Sequence, residues 1–236
     1  MRDVEIWQSR AEQSAAGLNQ YQIQGLRHTL ELLVPGSHSV LYQGYIVIHV
    51  NTATYDFFTP ALRTRLAETA EAYHLRLGLS YRYHDLLETR FAFEQASAAI
   101  QFGSHIHPDK VLYLYDDYAL YHLLDQVRST SDLRRFCHPK LLELIEYDRK
   151  NDTPYTLTLY VLILSGGRQA EAAKRLHIHR STMLYRIEKI MEITGDLDLH
   201  DIGTGTRLFH SYSILVYTGD LDAKEYPVPK RTDRDI

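Results

Sequence analysis

The segment from Arg168 to Ile190 has the residue types and spacing of two short helices joined by a turn, the second of them basic on one side. Small residues near its start predict a first helix that another helix can approach closely, and a three-residue turn, 177–179, follows it. The second helix begins near Arg180 and repeats apolar residues at helical spacing along one face. The expected core of this helix-turn-helix is Ala172, Ala173, Leu176, Ile178, Met183, Ile187 and Ile190.

Polar and basic residues lie opposite this apolar face and would meet DNA. The first turn of a recognition helix contacts base edges, so Ser181, Thr182 and Tyr185 are the candidates for bases. The basic residues are the candidates for phosphates. Arg180 lies at the helix start, where free backbone N–H groups can bind the same phosphate. Glu188 and Glu192 also face outward and would tilt the end of the helix away from the bases. The expected DNA contacts are His179, Arg180, Ser181, Thr182, Tyr185, Arg186 and Lys189, with His179 as a helix cap or phosphate contact.

The charge distribution favours a local DNA-binding element over an ordinary basic protein. The chain has 236 residues and a formal net charge of -4. Residues 168–191 carry six Lys or Arg and two Glu, a charge of +4, so the remainder carries -8. A basic segment on an acidic body is typical of localised DNA binding. The alternative is an amphipathic surface helix whose cations are merely solvated.

The stretch AAKRLHIHRSTMLYRIEKIMEITGDLDLHD, residues 172–201, resembles the C-terminal helix-turn-helix of the PucR/CdaR family of bacterial transcription regulators. The family's Ala-Ala, His-Arg-x-Thr, Tyr-Arg and Thr-Gly elements are all present. Two positions depart from the family pattern, since Ser181 and Arg168 stand where Asn is common. The first departure bears on which base is contacted, and the second on how the first helix is capped.

The resemblance extends upstream to RLGLSYRYHDLLETRFAFEQASAAI, residues 76–100, which is similar to the degenerate GGDEF-like domain of the same family. It implies a DNA-binding activator or repressor of catabolic or secondary-metabolic genes, often with a sensor domain further upstream. The alternative is an effector-binding or dimerisation fragment of a larger regulator, not itself an enzyme.

The predicted elements give an α+β protein, in which a small α/β domain precedes an all-helical one. Helical periodicity covers Trp7 to Leu33, strands are expected at Gly44–Val50, Leu75–Ser80 and Val111–Tyr115, and only helices follow Asp116. The resemblance implies a ferredoxin-like sheet with helices in the first domain. The expected divisions are 1–34 as a helical segment, 35–128 as the GGDEF-like domain, 129–218 as the helical domain with its helix-turn-helix at 168–193, and 219–236 as a flexible tail.

Three enzymatic or metal-binding alternatives have little support. Cyclic-dinucleotide synthesis needs metal-binding acids and phosphate-admitting glycines, but the only Gly-Gly pair, 166–167, is followed by Arg168. The His-x-His pairs at 105/107 and 177/179 lack further residues at ligand spacing. Cys137-His138 precedes a proline at a predicted helix start, with no orienting acid. We expect no catalytic residue, no cofactor and no metal.

Cysteine content and hydropathy predict a cytoplasmic protein. Cys137 is the single cysteine, which excludes an internal disulfide, and the longest apolar run, Leu157–Leu164, is far shorter than the roughly 20 residues of a membrane helix. The expected partners are double-stranded DNA, a second copy in a dimer and an unidentified small-molecule effector, with no membrane.

Overall fold

The computed structural model describes residues 4–10 (backbone only), 20–51, 59–195, 197–198 and 201–227. The described chain divides into two compact units, one running to His122 and one starting at Leu123. The expected α+β class, with a helix-turn-helix in the C-terminal part, is confirmed. The two units divide within the helix Tyr115–Arg128. The expected boundary, after residue 128, lies at the end of that same helix.

The N-terminal unit combines a five-stranded sheet with helices on both faces. Neighbouring strands follow the order β2-β3-β1-β4-β5, antiparallel throughout except for the parallel pair β4-β5. The elements are β1 (Val4–Arg10), α1 (Gln20–Leu33), β2 (His38–Tyr42), β3 (Tyr45–Asn51), α2 (Pro60–Ala72), β4 (Arg76–Leu79), a 3₁₀ turn (Leu86–Glu88), α3 (Thr89–Ile106), β5 (Leu112–Leu114) and α4 (Tyr115–Arg128).

The main core of this unit lies between one face of the sheet and helices α1 and α2. Alternate residues of β3 point into it, Ile46, Ile48 and Val50, and the intervening Val47 faces the other side under α3. Gly78 of β4 permits the close approach of α3, because a Cβ there would lie 2.2 Å from the Ala96 carbonyl oxygen.

Two strands, β1 and β2, were not expected from the sequence. β2 forms a hairpin with the expected strand β3. The turn residues of this hairpin, Gln43 and Gly44, both have positive φ (50° and 81°), the geometry of a two-residue turn that fits the strand twist. The helix expected from Trp7 is wrong at its start. β1 occupies the centre of the sheet, and the helical part begins at Gln20. Strand pairing to β3 and β4 outweighs the local apolar spacing that favoured a helix.

The outer edge of β2 is covered by two side chains of α1. Glu31 accepts hydrogen bonds from the Ser39 backbone N–H (2.8 Å) and hydroxyl (2.6 Å). Arg27 donates to the Ser39 Oγ (2.9 Å) and to its carbonyl oxygen. These bonds lower the pKa of the Glu31 carboxyl, chiefly through the Ser39 hydroxyl. The polar groups that an edge strand would offer to another strand are therefore occupied at Ser39.

The C-terminal unit is helical throughout its described residues. Two of its helices begin with clear caps, His138 followed by Pro139, and Asp201, which accepts from the Thr204 N–H at 2.7 Å. Arg168, at the start of another, makes no side-chain capping bond. After the end of α4 come a 3₁₀ turn (Leu133–Phe136) and helices α5 (Pro139–Asn151), α6 (Tyr155–Leu164), α7 (Gln169–Arg175), α8 (Arg180–Thr194) and α9 (Ile202–Tyr217).

The segment expected to be a flexible tail is packed in its first part. Tyr226 is buried, and its ring stacks on Tyr212 with centroids 5.8 Å apart. The Tyr160 hydroxyl donates to the Pro227 carbonyl oxygen. The expectation of a flexible tail is wrong for residues 219–227, because the Tyr226 ring of this charged stretch packs against buried aromatic residues. Residues 228–236 lie outside the described residues.

Candidate nucleic-acid interface

Helices α7 and α8 are joined by a tight turn that the local sequence explains. Leu176 caps the end of α7, and His177 adopts a left-handed conformation (φ 54°) that reverses the chain. The Ile178 N–H donates to the Ala173 carbonyl oxygen at 3.0 Å, which closes the turn. His179 then starts α8, where its Nδ1 accepts from the Ser181 N–H at 3.3 Å and contacts the Ser181 hydroxyl at 2.8 Å. His179 thus serves as a helix cap.

The inner faces of these helices form a small core with α6. Met183 and Ala172 have no exposed surface, and Leu162 of α6 packs against them. Leu176, Ile178 and Ile187 are half-buried against the same cluster, and Ile190 is fully buried further along α8. The structure therefore places the seven residues expected in the core at or beside it.

The outer face of α8 is polar and open at its first turn. Arg180 and Ser181 are exposed, Thr182 is half-buried, and Tyr185 is 53% exposed. Within the described residues, Arg180 makes no ion pair or hydrogen bond. The helix start thus combines an unpaired cation with the positive end of the helix dipole, a combination that binds phosphate.

Three other cations of α7 and α8, namely Lys189, Arg175 and Arg186, have protein partners. Lys189 pairs with Glu192 (Nζ to Oε2, 2.6 Å), and this bond raises the pKa of Lys189, so the side chain stays charged. Arg175 pairs with Glu171 at 3.3 Å. Arg186, which the sequence predicts to contact DNA, also has a partner within the protein, because its Nη1 donates to the hydroxyl of Thr158 in α6 at 3.2 Å. The structure turns part of this guanidinium toward α6.

The sequence KLLELIEYDRKNDTPYTLTLYVLIL, which includes α5 and α6, resembles the helices that precede the helix-turn-helix in the PucR/CdaR family, but sequence reasoning missed the contacts between them. Asp148 of α5 caps α6, accepting from the Thr153 hydroxyl (2.6 Å) and from the backbone N–H groups of Tyr155 (3.2 Å) and Thr156 (2.6 Å). Tyr147 stacks on Tyr155, with centroids 6.0 Å apart. The available signal was the presence of hydroxyls in an otherwise apolar helix, since buried hydroxyls need partners.

The alternative chemistry finds little support in the geometry. Cys137 is buried, and burial raises its pKa to about 11, which disfavours a nucleophilic thiolate. His107 Nδ1 lies 2.9 Å from the Tyr118 hydroxyl, and His179 caps α8. Across the residues that the structure describes, no group of three His, Cys, Asp or Glu could hold a metal ion. Within the same residues, no helix is both long and apolar enough to span a bilayer.

Comparisons with known proteins agree with the geometry of the C-terminal unit. Residues 155–212 match the PucR C-terminal helix-turn-helix domain. The chain is 32% identical over 131 residues to the purine catabolism regulatory protein of Bacillus subtilis (strain 168), covering 56% of this chain and 24% of that protein. It is 25% identical over 134 residues to the proline-responsive transcriptional activator PutR of the same organism, covering 56% of this chain and 32% of PutR.

The chain therefore spans about a third or less of the length of these curated relatives. Among solved structures, the regulator of polyketide synthase expression from Bifidobacterium adolescentis aligns with 91% of this chain and 80% of its own. The TM-score is 0.38 and the identity 18%. The C-terminal unit thus carries a PucR-type helix-turn-helix.

Proposed function

We propose that this chain regulates transcription by binding DNA through α8. The observation that carries the proposal is the open first turn of α8, where Arg180 makes no ion pair with any described residue and lies beside the exposed Ser181, on a helix whose opposite face packs in a core. The match of residues 155–212 to a PucR-type helix-turn-helix supports it. No catalysis is part of the proposal.

The roles of individual residues follow from their exposure. Ser181, Thr182 and Tyr185 would contact base edges, since they lie on the outer side of the first two turns. Arg180 would hold a phosphate, and Lys189 would do so at the far end of the helix, where Glu192 already neutralises part of its charge. His179 would help mainly as the cap that orders the first turn.

The N-terminal unit would be a degenerate GGDEF-like domain that controls DNA binding or mediates dimerisation. The protein would act in the cytoplasm. The antiparallel order β2-β3-β1-β4, with α1 and α2 sharing one face, is consistent with a ferredoxin-like sheet. A dimer fits the two-fold symmetry of typical helix-turn-helix operators. A small-molecule effector, if this chain binds one, should raise the melting temperature without DNA.

The regulated genes would belong to catabolism or secondary metabolism. The printed names of the two curated relatives, a proline-responsive activator and a purine catabolism regulator, describe metabolic control in those proteins. The chain would act on these genes as an activator or a repressor.

The test is a DNA-binding titration of the full chain at a series of NaCl concentrations, on a duplex selected from a random-sequence pool. Arg180→Ala should weaken binding to all duplexes and reduce the slope of log affinity against log salt by about 0.9, the share of one phosphate contact. Lys150→Ala is the matched control, because Lys150 is an exposed cation on α5, a helix outside the α7–α8 pair. An unchanged salt slope in Arg180→Ala would contradict the phosphate role.

A further inference from the structure

The hydroxyl of Thr158 is oriented by its own helix. Thr158 of α6 is fully buried, and its Oγ donates to the Pro154 carbonyl oxygen at 2.7 Å. Because a hydroxyl carries a single hydrogen, this bond leaves only lone pairs on the side facing α8. Thr158 can therefore act there only as an acceptor.

Arg186 of α8 fills that acceptor site. Its Nη1 lies 3.2 Å from the Thr158 hydroxyl oxygen, and the side chain is half-buried on the flank of the Met183 face. Thr158 is buried within α6, so this bond links the flank of α8 to a fixed point on the neighbouring helix. Through this link the Arg186 side chain restrains how α8 lies on α6.

We propose that Thr158 and Arg186 form a positioning pair that sets the orientation of α8, and that Arg186 acts on DNA through this pair instead of holding a phosphate. The inference rests on the proposed function, since it assumes that α8 binds DNA. Ser181 and Thr182 lie one turn before Arg186, so a rotation of α8 moves them relative to the base edges. The pair makes Thr158, a buried residue on a neighbouring helix, a determinant of sequence discrimination.

A positioning pair and a phosphate contact have different signatures in a binding experiment. Losing a phosphate contact lowers affinity for every duplex and reduces the salt slope by about 0.9. Losing a positioning contact lowers affinity for the selected duplex, where base contacts matter, and leaves non-specific binding and the salt slope unchanged. The two roles of Arg186 are therefore separable.

The experiment measures fluorescence anisotropy of the full chain on the selected duplex and on a scrambled duplex, over a series of NaCl concentrations. The variants are Thr158→Val, which removes the hydroxyl at nearly constant shape, Thr158→Ser, which keeps it, Arg186→Met, and the double variant. Thr158→Val and Arg186→Met should each lower affinity for the selected duplex about tenfold, the factor expected for one hydrogen bond to a charged group. Thr158→Ser should bind like the wild type.

The double variant should be no worse than either single variant, because both remove the same bond. A salt slope lower by about 0.9 in Arg186→Met, with no effect in Thr158→Val, would overturn the pair. If Thr158→Val fails to fold, Arg186→Met decides alone: lost discrimination at an unchanged slope supports the pair, and a reduced slope overturns it. A wild-type chain that selects no duplex overturns the proposed function and the pair with it, which distinguishes that failure from failure of the pair alone.

Discussion

At the edge of the N-terminal sheet, the polar groups of Ser39 are covered by Arg27 and Glu31, whereas at the start of α8 in the C-terminal unit Arg180 is exposed and makes no ion pair within the described residues. An open strand edge can pair with any other strand and invites aggregation, so covering it protects the protein. An open helix start attracts an anion, which suits a protein that binds phosphates. The polar groups at the edge of β2 are thus hydrogen-bonded within the protein, whereas those at the start of α8 are left accessible to a ligand.

The difference also shows what each surface depends on. The cover of β2 consists of two side chains that reach the strand from the neighbouring helix α1. The open turn of α8 is held from behind, by the core around Met183 and by the bond from Arg186 to α6. Breaking the support of α8 should therefore cost more than removing the cover of β2.

The largest effect is expected from Met183→Ala. Met183 has no exposed surface and packs on Leu162, Ala172 and Ala173, so truncation leaves a cavity and should destabilise the C-terminal unit by about 2–5 kcal/mol. Thermal and urea unfolding measure the change. Leu184→Ala, at a neighbouring position that is 39% exposed, is the control and should change stability by less than about 0.5 kcal/mol. Equal effects of the two substitutions would mean that the inner face of α8 does not support the helix.

A smaller effect is expected from Glu31→Ala, which uncovers the edge of β2. The Ser39 N–H and hydroxyl lose their acceptor, and Ser39 is buried, so the N-terminal unit should lose about 1 kcal/mol of stability. The exposed edge should also increase self-association, which sedimentation at increasing protein concentration detects. Glu71→Ala, at an exposed position on α2, should change neither property. A monomeric and fully stable Glu31→Ala would show that the cover is dispensable.

Features that depend on local chemistry could be predicted from the sequence. Thr59 followed by Pro60 marked the start of α2, where the Thr59 hydroxyl accepts from the Leu62 N–H at 3.3 Å. The apolar run of β3 predicted a strand, and the helical spacing of apolar residues in α8 predicted a helix. The placement of α6 as a helix depended on Pro154, since its β-branched residues also suited a strand.

Features that depend on distant partners could not be predicted. β1 lies in the sheet because β3 and β4 pair with it on either side, and the alternation of apolar and polar residues in VEIWQSR ends at Ile6, which is too short to indicate a strand. β2 leaves Val40, Leu41 and Tyr42 exposed, so it lacks the pattern of a half-buried strand. The bond from Arg186 to Thr158 joins residues that are 28 positions apart, and a helical wheel of α8 alone places Arg186 only on its flank.

The smallest expected effect is a pH dependence of the stability that Glu31 contributes at the edge of β2. The pKa of Glu31 is lowered in the folded protein, first by the Ser39 hydroxyl and then by the Ser39 N–H. A carboxyl with a depressed folded pKa stabilises the fold above its unfolded pKa of about 4.3, and this contribution is lost as the pH falls through the folded pKa. The stability difference between wild type and Glu31→Gln should therefore be largest at neutral pH and shrink below about pH 4. Urea unfolding of both proteins at matched pH measures the difference, and the subtraction removes the acid sensitivity that they share. A gap that stays constant down to the acid transition would mean that Glu31 holds Ser39 by geometry and not by charge, and that the edge of β2 is closed in the same way at every pH.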